Sequence, residues 1–98
     1  MIKVYGMKTC PDCQWVHGQI QGDDRFQMID IGEHVVLMKE FLRLRDTHAE
    51  FDEAKKLGMA GIPCFLLEDG TVTLDPAAVG LLAEPADGPA CSLNGQGC

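Results

Sequence analysis

A strand, a helix and a second strand within the first 31 residues constrain the fold of this chain more than any other feature. Ile2-Lys3-Val4-Tyr5 is β-prone and meets Gly6, which sets the end of an opening strand near Met7. From Pro11 the pattern turns helical. Cys13, Val16 and Ile20 share one face, and Pro11 stands in a first turn where its missing N–H has no use. Gly22 closes that helix. Phe26-Gln27-Met28-Ile29-Asp30-Ile31 alternates as a strand does and stops at Gly32. A unit this short joins two parallel strands through a right-handed crossover.

Residues 34–45 lack Gly and Pro and carry an apolar stripe through Val35, Met38, Phe41 and Leu42, which predicts a helix with a buried face. Thr47-His48-Ala49-Glu50 fits a capping box, so a further helix is expected to run to Leu57 with Phe51, Ala54 and Leu57 inward and Gly58 left-handed at its end. One bent helix is the alternative. Ile62–Leu67 and Thr71–Leu74 read as antiparallel strands around Glu68-Asp69-Gly70. Asp75-Pro76 then opens a last helix through Ala77, Val79, Leu81 and Leu82.

With 98 residues, 46% apolar and 23% charged, the chain has material for one core and little more. Residues 1–84 form the expected domain; after Glu84 the composition shifts to Pro, Gly, Asn, Gln and Ser, which marks 85–98 as a flexible tail holding Cys91 and Cys98. The order β-α-β-α(α)-β-β-α gives an α/β domain with a four-stranded mixed sheet and flanking helices, the thioredoxin-like layout. Eight basic against fifteen acidic residues leave a net charge of −7, without the counter-charge that nucleic acid or an anionic membrane surface needs. No apolar run approaches the ~20 residues that span a bilayer, and the first residues lack the apolar stretch of a secretion signal. A cytoplasmic monomer is the expectation.

Five cysteines carry the functional signal. Cys10-Pro11-Asp12-Cys13 begins where the strand gives way to the helix, so Cys10 is the expected N-cap, its sulfur beside unsatisfied backbone N–H groups and the positive helix end. That setting favours a thiolate over a thiol of ordinary pKa ~8.5, which makes Cys10 the attacking nucleophile and Cys13, one turn on, the resolving one. Lys8 adds positive charge; Asp12 opposes it, because a carboxylate raises a nearby thiol pKa. A structural pair or half a zinc site is the competing reading, although zinc usually takes a second C-x-x-C or paired His, which the sequence lacks. Ile62-Pro63 opens a later strand, and a cis proline there sets the backbone of residue 62 beside the thiols, where an extended peptide or glutathione can pair with it. A trans proline at a strand start is the plainer alternative.

At these residues the chain resembles the glutaredoxin family of the thioredoxin superfamily. Lys8-Thr9-Cys10-Pro11-Asp12-Cys13 is similar to the family's K…T-C-P-Y-C site, with Asp12 in the place of Tyr, and Gly61-Ile62-Pro63 stands for its T-V-P. The resemblance implies glutathione-linked thiol–disulfide exchange on glutathione mixed disulfides or disulfide-containing proteins, with glutathione as thiol reductant and no tightly bound cofactor. It assigns attack to Cys10 and release to Cys13. By position, Lys8 faces the glutathione glycine carboxylate and the Ile62 backbone before Pro63 pairs with its cysteinyl part. In Thr73-Leu74-Asp75, which replaces the family's Gly-Gly-x-Asp, Asp75 alone matches the γ-glutamyl cradle.

Cys64 follows Pro63 on a strand and reads as a small buried hydrophobe, or as a third thiol able to form an alternative disulfide or complete a metal site. Cys91 and Cys98 bracket a flexible loop. Fifteen residues separate Ala83 from Cys98, at most ~50 Å extended, against a radius of gyration of ~13 Å for a domain this size. The tail therefore reaches Cys10, and a tethered dithiol can relay electrons; an inert tail and a thiolate metal site are the alternatives. His17, His34 and His48 lack ligand spacing, Trp15 is expected to pack partly at the rim of the site, and Met7 and Met28 read as core. The rival function is a binding module in which Cys10, with glutathione or other thiolates, holds an iron–sulfur cluster or zinc.

Overall fold

A computed structural model describes residues 1–82. The tail with Cys91 and Cys98 lies outside the described residues. Strand β1 (Ile2–Gly6) leads into helix α1 (Pro11–Ile20) and strand β2 (Phe26–Asp30). Helix α2 (Val35–Thr47), a 3₁₀ turn at Ala49–Phe51 and helix α3 (Asp52–Lys56) precede strands β3 (Cys64–Leu66) and β4 (Val72–Thr73), and a second 3₁₀ turn spans Pro76–Val79. The sheet order is β2-β1-β3-β4. β1 and β2 pair in parallel, whereas β1 with β3 and β3 with β4 are antiparallel. This is an α/β thioredoxin fold with the mixed four-stranded sheet that the element order predicted.

Because side chains alternate along a strand, the sheet buries two separate sets of residues. Val4 and its register partner Phe65 pack with Val16 and Ile20 of α1, Phe26, Val79 and Leu81. On the other face Tyr5 and its partner Cys64 pack with Phe41 of α2, Phe51 and Val72. Phe41, Phe51 and Phe65 are the largest fully buried side chains, and Phe41 meets Phe51 edge-on at 5.8 Å between centroids.

Four expectations change. The capping box at Thr47 does not form: Thr47 ends α2, and its hydroxyl donates back to the Arg43 carbonyl at 2.6 Å, a bond that competes with capping. His48 turns extended there (φ −115°, ψ 130°) and separates the two helical segments, which disposes of one continuous helix. Val35 and Leu42 face solvent, at 61% and 40% exposure, while Leu37 and Leu44 pack with Met38 and Phe41 against the core. The buried stripe is thus rotated from the one expected. The last helix stops after a single turn, because Gly80 adopts φ +82° and its N–H bonds Ala77 O while Leu81 N–H bonds Pro76 O. That pair of bonds is a Schellman closure, and it leaves Leu82 outside. The strand expected from Ile62 starts at Cys64, and its partner is confined to Val72–Thr73.

Gly61 joins α3 to the strand beside the site. It has φ +95°, and a Cβ there would lie 2.7 Å from Phe51 Cδ1, inside the packed core. Gly58 has φ +75°, yet a Cβ would meet nothing within 4 Å. Gly61→Ala is therefore expected to lose about 2–4 kcal/mol, strain and overpacking together, against about 1–2 for Gly58→Ala, which carries strain alone. Urea midpoints of the two variants check the difference; equal losses would contradict the packing argument.

Candidate functional site

The site forms where β1 ends and α1 begins. Cys10 N–H donates to the Met7 carbonyl at 3.2 Å, which folds the connecting loop into a turn, and Gln14 Nε2 donates to the Lys8 carbonyl at 2.6 Å, tying the same loop to the helix. Cys10 is the N-cap, with extended φ −89° and ψ 119°, and Pro11 occupies the first helical position as expected. Its sulfur accepts the Cys13 N–H at 3.4 Å. One of the orphan donors of the helix start thus points at sulfur.

Cys13 is buried at 1% exposure, and Cys10 is buried as well at 4%. Room for Cys13 comes from Gly6: a Cβ at Gly6 would stand 2.8 Å from Cys13 Sγ, so any larger residue would displace the thiol. Burial pushes the Cys13 thiol up to about 11; Asp12 and Asp30 add to the rise and a backbone hydrogen bond to Met7 opposes it. The acidic residue inside the C-x-x-C acts in the direction expected from sequence. Cys13 and Cys64 carry free thiols.

Ile62 belongs to the same buried cluster as Cys10, Cys13 and Cys64, and the Ile62–Pro63 peptide is cis. Cys64 is fully buried, and burial pushes its thiol up to about 12. Of its two readings, the small buried hydrophobe describes its surroundings. Lys8 is exposed at the edge of this cluster's loop. Asp75 stands further off in the chain: it is exposed, caps the turn at Pro76–Val79, and spends one carboxylate oxygen on Ala77 N–H at 3.0 Å. Its neighbour Leu74 packs against the cysteine cluster.

Besides the room that Gly6 makes for Cys13, two further features escaped the sequence. Tyr5, directly opposite Cys64, is buried with the cysteines, and its phenol is raised by desolvation, with Glu40 and Cys64 adding to it. Trp15 Nε1 donates to the Leu82 carbonyl at 2.9 Å, a bond across 67 positions that no local pattern announces. His34 Nδ1 accepts Val36 N–H at 3.1 Å and caps α2, which is a structural task. Met7 and Met28 are half-buried against the core. Among the described residues, no group of three or more His, Cys, Asp and Glu is placed to hold a metal ion, and no helix is long and apolar enough to cross a membrane.

The fold and the capped cysteine define a thioredoxin-fold domain with a C-x-x-C at the first helix. An uncharacterised protein of Haemophilus influenzae is 40% identical to it over 70 residues, which cover 69% of this chain and 80% of that protein. The chain belongs to the same family as that protein. No protein-family model matches the chain, and no solved structure matches it.

Proposed function

We propose that this protein is a glutaredoxin-like thiol–disulfide oxidoreductase that reduces protein disulfides or glutathione mixed disulfides through Cys10 and Cys13. The observation that carries the reading is the N-cap sulfur of Cys10, hydrogen-bonded by Cys13 N–H at the positive end of α1, with a second cysteine buried one turn below. Negative charge on sulfur is stabilised at that place.

The chemistry divides between the two thiols. With its thiol up at about 11, Cys13 stays protonated near neutral pH, and the first attack falls to Cys10. A bond forms between Cys10 sulfur and one sulfur of the substrate disulfide, and the other substrate sulfur departs and takes a proton. Cys13 then loses its proton and attacks Cys10 sulfur, which releases the second substrate thiol and closes the Cys10–Cys13 disulfide. Two equivalents of glutathione restore the dithiol. Lys8 supplies positive charge for a substrate carboxylate, the Ile62 backbone before Pro63 offers an edge for extended substrate, and Asp75 stands as the candidate for a γ-glutamyl amine.

The test is turnover of a mixed glutathione disulfide with glutathione, or with thioredoxin reductase, as the electron source. Glutathione-driven turnover is expected. Turnover with the reductase alone would recast the protein as thioredoxin-like, and none with either would sink the oxidoreductase reading.

A further inference from the structure

Residues 57–61 join α3 to Ile62, which enters the cysteine cluster, and three contacts hold this connection in place. Two are local. Met59 N–H donates to the Ala54 carbonyl at 2.8 Å, and Gly61, at φ +95°, lies against the Phe51 ring. The third comes from the last turn of α2, where Arg45 Nε donates to the Ala60 carbonyl at 2.9 Å and Arg45 Nη2 to the Met59 carbonyl at 3.0 Å, across 15 and 14 positions of chain. One guanidinium thus grips two consecutive peptide carbonyls just before Gly61 and Ile62. The side chain is half-buried, and bonds from a charged donor are stronger than neutral ones. A planar fork fits two carbonyls at once; an ammonium, a point charge on a flexible stem, does not hold both in one geometry.

We infer that Arg45 is a positioning residue for the substrate: through the Met59 and Ala60 carbonyls it fixes the Ile62 backbone edge against which an extended disulfide substrate aligns. This rests on the oxidoreductase reading above and names what sets substrate alignment at that site. Thiol–disulfide exchange depends on which sulfur the thiolate reaches, so an edge that holds the substrate backbone in register with Cys10 acts on the encounter and not on the thiol itself. Strands pair through main-chain groups, and the benefit of the held edge therefore goes to substrates that carry peptide groups. A small disulfide without peptide groups has nothing to lay along it. Arg45 accordingly governs KM for peptide and glutathione disulfides and leaves the intrinsic reactivity of the Cys10–Cys13 pair alone.

The experiment compares full-length wild type, Arg45→Ala and Arg45→Lys in steady-state turnover of a peptide–glutathione mixed disulfide, with whichever electron source drives the wild type, and in single-turnover reduction of hydroxyethyl disulfide by the pre-reduced proteins. The expected result is a KM for the mixed disulfide raised about tenfold in Arg45→Ala, on a scale where a misplacement of about 1 Å costs up to about a hundredfold. kcat and the hydroxyethyl disulfide rate stay near wild type. Arg45→Lys, which keeps the charge and not the fork, recovers only part of the KM, and it carries the comparison if Arg45→Ala does not fold. An unchanged KM in the folded variants, or a hydroxyethyl disulfide rate that falls in step with mixed-disulfide turnover, overturns the inference alone. A wild type inactive on the mixed disulfide sinks the oxidoreductase reading and the role of Arg45 with it, so the two failures are told apart by the wild-type rate.

Discussion

Cys10→Ser is expected to lower mixed-disulfide turnover at least about a thousandfold, because a serine hydroxyl is scarcely ionised where a thiol is and the covalent intermediate cannot form. The fold should survive. The substitution exchanges sulfur for oxygen at an N-cap, and serine is itself a preferred capping residue, so helix α1 keeps its start. Cys13→Ser leaves the attacking sulfur in place and should retain turnover of small mixed disulfides, which glutathione can resolve from outside, while losing reduction of protein disulfides. Steady-state rates for both variants, with circular dichroism as the folding check, measure this. A Cys10→Ser protein that turns over at the wild-type rate would end the assignment.

Alkaline pH is expected to destabilise the fully reduced protein steeply. Burial raises the thiols of Cys13 to about 11 and of Cys64 to about 12, from an unfolded value of 9.0 for each. Below pH 9 both are protonated in either state and contribute no pH dependence. Above pH 9 the unfolded chain releases these protons and the folded chain does not, so the unfolded state is favoured increasingly until the folded thiols ionise near 11 and 12. One group changes stability by at most about 1.4 kcal/mol per pH unit, so the two together cost on the order of 3–5 kcal/mol between pH 9 and 11. That is a large part of the 5–15 kcal/mol typical of a domain. Tyr5, raised by burial, adds in the same direction above pH 10. Urea midpoints under reducing, anaerobic conditions read the effect, and Cys64→Ala should flatten the slope by about half. Closing Cys10–Cys13 should flatten it too, since Cys13 then cannot titrate. An unchanged slope in Cys64→Ala would contradict the burial argument.

The parts of the molecule legible in the sequence are those governed by neighbours. Cys13, Val16 and Ile20 are all buried, as the i, i+3, i+7 spacing requires, and Pro11, Gly58 and Asp75 sit where local backbone preference puts them. The strand–helix–strand opening marks the parallel pair, and the Asp-Gly turn marks the antiparallel β3–β4 pair. The misreadings arose where two local signals competed. Thr47 has the side chain of a cap, but the preceding turn takes its hydroxyl; Gly80 ends a helix that the apolar run to Leu82 would extend. The apolar pattern of α2 points to β-branched Val35 and to Leu42, whereas tertiary packing selects Leu37 and Leu44. At the site, the motif supplied the capped cysteine and the buried second one. It did not supply Gly6 making room for Cys13, Tyr5 facing Cys64, or the Trp15 bond to Leu82, because each depends on residues brought together only by the sheet and the chain's return to α1.

The central claim is that Cys10 is the sulfur that enters exchange and that Cys13 resolves it. The most direct measurement incubates a variant that keeps only Cys10 and Cys64, with Cys13, Cys91 and Cys98 replaced by Ser, with oxidised glutathione, and maps the adduct by intact-mass and peptide analysis. The account predicts one glutathione, on Cys10, and an unmodified Cys64, which is fully buried. No adduct on the folded protein, or an adduct on Cys64 in place of Cys10, would contradict it.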